Sequence, residues 1–118
     1  MKLSIAALAL LAFTTLSLST PSWAGKEYTP AQLRKMVSAG KPPKQGPVQK
    51  EETRKIEFDK CVAMMGSIAN AAKPNYPTAM IVNTKVLWIE KVWSNDAAMT
   101  LSCSAPDGKA LMTSAPYL

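Results

Sequence analysis

The sequence predicts an α+β fold, one long helix packed on a three- to four-stranded antiparallel meander, and three observations predict it. Apolar residues recur at helical spacing over Phe58–Ala72, then switch to a period near two after Asn75–Pro77. The chain has two cysteines, Cys61 in the helical half and Cys103 in the alternating half. Turn-forming groups, Asn95-Asp96 and Pro106-Asp107-Gly108, divide the second half at strand-length intervals.

The N-terminal segment reads as an export signal. Lys2 supplies positive charge, Ile5–Phe13 is an unbroken apolar run, and Pro21 breaks it before Ser22-Trp23-Ala24. Small residues at Ser22 and Ala24 place the cut between Ala24 and Gly25. The apolar run falls short of the ~20 residues that a membrane span needs, which argues against the alternative of a retained anchor. No cysteine near the cut offers a lipid attachment point. The expectation is a signal peptide over 1–24, a periplasmic or secreted protein, and no stable membrane anchor after cleavage. The remainder suffices for one small domain.

The charge is basic, with 14 Lys and Arg against 8 Asp and Glu, net +6. Losing Lys2 with the leader lowers this by one. Such a balance suits nucleic acid, anionic lipid or an acidic partner. Export argues against genomic DNA. In an oxidising compartment two cysteines in a small domain usually pair; a free thiol or an intermolecular bridge is the alternative. A Cys61–Cys103 bond closes a ring of about 43 residues and contributes roughly 4 kcal/mol by loop-closure entropy.

Residues 25–47 form an arm, a short helix and a linker ahead of a domain over 48–118. Thr29-Pro30-Ala31-Gln32 is a helix start: Thr29 caps, Pro30 suits the first turn and Gln32 completes a capping box. Leu33, Met36 and Val37 make a small apolar stripe, and Gly40 ends it. The stripe predicts a brace on the domain, with a partner-binding helix as the other reading. Gly40–Pro47 is a Pro/Gly linker that the lysines keep solvated.

The central element is a helix over Lys50–Lys73. Glu51 and Glu52 favour its start through the helix dipole, and Glu51 stands four residues before Lys55. Phe58, Cys61, Val62, Met65, Ile68, Ala69 and Ala72 share one face, Gly66 invites a close approach to the sheet, and Lys73-Pro74 stops the helix. Strands follow at Thr78–Asn83, Lys85–Trp93, Ala97–Ser104 and Ala110–Ser114. If Asn95-Asp96 is a two-residue loop, Val92 opposes Met99, Glu90 opposes Leu101 and Trp88 opposes Cys103. That register carries Glu90 to the core face; a slip by one carries Lys91 there instead. A bulge or a position at the sheet margin is therefore expected around Glu90-Lys91.

Little chemistry is indicated. The chain has no histidine, which removes His-based triads and most zinc or haem sites. No phosphate-cradling glycine loop occurs, no nucleophile–base set is visible, and Asp96 and Asp107 are turn residues. No catalytic residue, metal or cofactor is expected. The bases Arg34, Lys35, Lys41, Lys44, Lys50, Arg54, Lys55 and Lys60 lie away from the aromatic residues, so no base-stacking platform forms and no nucleic acid is expected. Trp88, Trp93, Tyr76 and Tyr117 could form an aromatic partner surface on the sheet face away from the helix. Leu87, Ile89 and Trp93 make that outer face apolar, so it calls for a partner or for the N-terminal helix to cover it.

Phe58-x-x-Cys61, Tyr76-Pro77, Trp93 with Asn95-Asp96, Thr100-x-x-Cys103-Ser104 and a closing Tyr117 make a pattern spanning Phe58–Tyr117. It resembles small secreted proteins encoded with plasmid conjugation genes. The resemblance implies an accessory periplasmic protein that binds a protein partner, and it carries over no catalytic residue. The other function in keeping with the sequence is a secreted inhibitor or immunity-like protein that binds another enzyme.

Overall fold

The computed structural model describes residues 25–118; the expected signal peptide, up to Ala24, lies outside the described residues. Two helices, α1 (Pro30–Ser38) and α2 (Phe58–Ala72), accompany five strands. These are β1 (Lys50–Lys55), β2 (Thr78–Asn83), β3 (Leu87–Trp93), β4 (Ala97–Ser104) and β5 (Lys109–Pro116). They form one antiparallel sheet in the order β1-β5-β4-β3-β2.

This corrects the expected architecture. The helix does not run over Lys50–Lys73; it begins at Phe58, and Lys50–Lys55 is a strand paired with β5. Among the described residues the fold is a five-stranded sheet with two helices, not one long helix on a three- to four-stranded meander. The physical reason is that Lys50–Lys55 has no apolar side chain to anchor a helix, and all six residues are exposed. A Glu51–Lys55 helical pair is worth only a few tenths of a kcal/mol. Pairing with β5 instead satisfies backbone groups on both strands. Ile56 closes the ladder by donating to the Gly108 carbonyl (3.0 Å) and packs against the main core.

From Phe58 onward the apolar spacing governs packing. Cys61, Met65 and Ala69 are buried one turn apart against Trp88, Val92, Leu101, Cys103 and Ala110 of the sheet. The disulfide Cys61–Cys103 joins α2 to β4, with Cα atoms 5.9 Å apart.

Helix α1 lies on the opposite face of the sheet. Thr29 and Gln32 form the reciprocal capping box. Lys41 donates to Met36 (2.9 Å) around Gly40, whose φ of 74° closes the helix end. Leu33 is fully buried among Trp93, Ala98 and Tyr117, so α1 braces the sheet. The Arg34 guanidinium also donates to the Pro74 carbonyl at 2.8 Å. Lys41 and Lys44 of the linker are exposed, but the segment is not a free spacer. Leu118 donates to Lys44 (2.9 Å), Gly46 donates to Pro116 (2.8 Å), and Pro43 is buried. The segment is laced to the C-terminal strand because that strand's free backbone groups need partners.

The β3–β4 register has Trp88 opposite Cys103, Glu90 opposite Leu101 and Val92 opposite Met99. No bulge interrupts it; the irregularity lies on the other side of β3, where Met80 pairs with Glu90 and Val82 with Ile89, so a bulge does adjoin Glu90. Glu90 is not placed at the sheet margin. It is 4 % exposed on the face that α2 covers. At the last hairpin, Gly108 takes φ 59° and Ser104 Oγ donates to Asp107 at 3.0 Å.

Candidate functional site

The four aromatic residues expected at a partner surface are drawn inward. Trp88 faces α2 beside Cys103 and is 4 % exposed. Trp93 and Tyr117 are buried beneath α1, and Tyr76 packs half-buried against both cores. The exposed aromatic patch does not form. Two apolar layers flank the sheet, so each large ring found a covered face.

Tyr117 is fixed at both ends. Its hydroxyl is set to donate to the carbonyls of Ser94 (2.6 Å) and Ala97 (3.0 Å) across the β3–β4 turn. Its ring meets Tyr28 edge-on at 5.3 Å. Burial pushes its pKa up, assisted by the negative charge of Asp96 and by Tyr28. Among the described residues, Trp93 Nε1 is an enclosed polar atom without a hydrogen-bond partner. The Lys91 ammonium lies 5.6 Å from the Trp93 ring centre, and burial lowers its pKa.

What stays open is the other half of the outer face. The helix α1 covers the end that holds Trp93 and Ala98 and leaves Leu87, Ile89 and Leu111 half-exposed. These three form the apolar part of a trough of about 390 Å³ that Ser102, Ser104, Glu51, Asp107 and Lys109 also line. An apolar floor with mixed charges around it suits a protein segment better than a small polar substrate. On the helix face a second groove of about 320 Å³ runs between α2 and β1, lined by Met64, Met65, Met112 and Arg54. Alternation in the strands signals the outer trough, but the sequence does not show where α1 ends its cover.

Among the described residues no group of three His, Cys, Asp or Glu side chains is placed to hold a metal. Ser94, Asp96, Ser104 and Asp107 hydrogen-bond within their own turns. Among the described residues no helix is long and apolar enough to cross a membrane. The disulfide is compatible with an oxidising compartment outside the cytoplasm. The chain matches no protein-family description, no curated protein and no solved structure.

Proposed function

We propose that this chain is a non-enzymatic interaction protein of the periplasm or extracellular space, reached through cleavage of a signal peptide after Ala24. The half-covered outer face carries the reading: Leu87, Ile89 and Leu111 form an open apolar floor within an otherwise laced structure. A protein segment laid across β3, β4 and β5 would bury these side chains and meet Glu51, Asp107 and Lys109. The resemblance over Phe58–Tyr117 supports placing that partner in an envelope assembly of conjugative transfer.

The test is capture of periplasmic proteins with the wild type and with Ile89→Glu, which puts charge on the floor without touching either core. A transfer-assembly component retained by the wild type and released by Ile89→Glu is the expected result. Equal retention by both proteins removes the outer face from the function. Recovery of a hydrolase that loses activity in the complex favours the inhibitor reading instead.

A further inference from the structure

The edge strand β1 carries a pattern that the outer-face reading does not use. Its residues Glu51-Glu52-Thr53-Arg54-Lys55 read as opposite charges from the two ends about Thr53. Edge strands expose unpaired N–H and C=O groups, and charged side chains usually discourage pairing there. Here the charges favour one antiparallel register over its two-residue shifts.

We propose that β1 is a self-association edge whose partner is β1 of a second copy of this chain. The two strands meet antiparallel about a two-fold axis at Thr53. In that register Thr53 faces Thr53, Glu51 faces Lys55 and Glu52 faces Arg54, each charged pair occurring twice. A two-residue shift in either direction sets Glu52 against Glu52 or Arg54 against Arg54. The backbone permits the favoured register. Ile56 donates to Gly108 at 3.0 Å. Because antiparallel pairs alternate, Glu51, Thr53 and Lys55 then turn their N–H and C=O groups away from β5. All three are members of the pairs that must exchange backbone hydrogen bonds across the two-fold axis.

The faces agree as well. Glu52 and Arg54 lie on the α2 side, at the methionine-lined groove, Glu51 lies at the outer trough, and Thr53 borders both. All six β1 side chains are exposed and free to reach across. The opposite edge shows the contrast: β2 (Thr78–Asn83) carries no charge and is broken by the irregularity at Met80/Val82. The assembly is a continuous ten-stranded sheet with both α2 helices on one side and a Met64-lined channel between them. Ile89 and Leu111 stay open in this assembly, and only Glu51 and Thr53 are shared between the edge and the trough.

Sedimentation equilibrium of the disulfide-bonded protein tests the proposal, with circular dichroism confirming that each variant is folded. One variant, Glu51→Lys with Glu52→Lys, makes the edge wholly basic. The other, Arg54→Glu with Lys55→Glu, makes its centre acidic. The wild type should be a dimer that weakens as salt rises. Each variant alone should dimerise with a dissociation constant raised roughly tenfold or more, and an equimolar mixture should restore association. A monomeric wild type, variants that dimerise as the wild type does, or folded variants that fail to restore each other in the mixture would each overturn it.

Discussion

Tyr117 shows how one tail residue couples three segments. Its phenol is set to bond two carbonyls of the β3–β4 turn, and its ring closes against Tyr28. Because burial raises the folded-state pKa, the protonated phenol favours the fold. That contribution is fully present below the unfolded value near 10.0 and is lost as pH rises through the higher folded value. Urea unfolding followed from neutral pH into the alkaline range should therefore show a falling midpoint above about pH 10. In Tyr117→Phe the neutral-pH midpoint should be lower and the alkaline fall shallower. An identical alkaline fall in that variant would assign the effect elsewhere. Nothing near Tyr117 in the sequence marks this role, since its partners lie about 20 and 23 residues away. Glu90 is the intermediate case. The hairpin loop places it opposite Leu101 and on the core face by counting alone, but counting does not reveal that it stays there, away from the sheet margin.

At the scale of elements, the two helices show what local spacing reports. The capping box at Thr29 and the apolar face beyond Phe58 both depend on residues three or four apart, and both appear in the structure. The charged stretch Lys50–Lys55 depends instead on β5, more than 50 residues away, and so its strand character was not legible. Local helix signals there are weak, and distant backbone pairing outweighs them. Gly66 is a further correction. A Cβ placed on it meets nothing within 4 Å, so it does not serve a close approach to the sheet. Gly66→Ala should then stabilise the protein by about 1 kcal/mol, through helix propensity and reduced unfolded-state freedom. The melting temperature is the measurement, and a fall would show that the site needs its flexibility.

In the whole molecule the sheet is sandwiched at different places on its two faces, and a single covalent bond crosses one layer. Cys61 and Cys103 are buried and 42 positions apart. Replacing both by alanine should cost roughly 4 kcal/mol, a large part of the 5–15 kcal/mol that holds an ordinary domain together. The urea midpoint of the double variant, compared with that of the wild type, gives the value. An unchanged midpoint would mean that packing alone supports α2 on β4.

By itself the sequence determined where the period changes, how the N-terminal helix is capped, where the last two hairpins turn and which residues oppose each other across β3 and β4. These features rest on bond geometry and on side chains a few positions apart, which neighbouring letters encode directly. Only the tertiary structure decided that Lys50–Lys55 joins the sheet, that α1 hides Trp93 and Tyr117, and that Ile89 and Leu111 remain open. Those outcomes rest on backbone hydrogen bonds and on coverage between distant segments, and backbone groups are the same whatever side chains they carry.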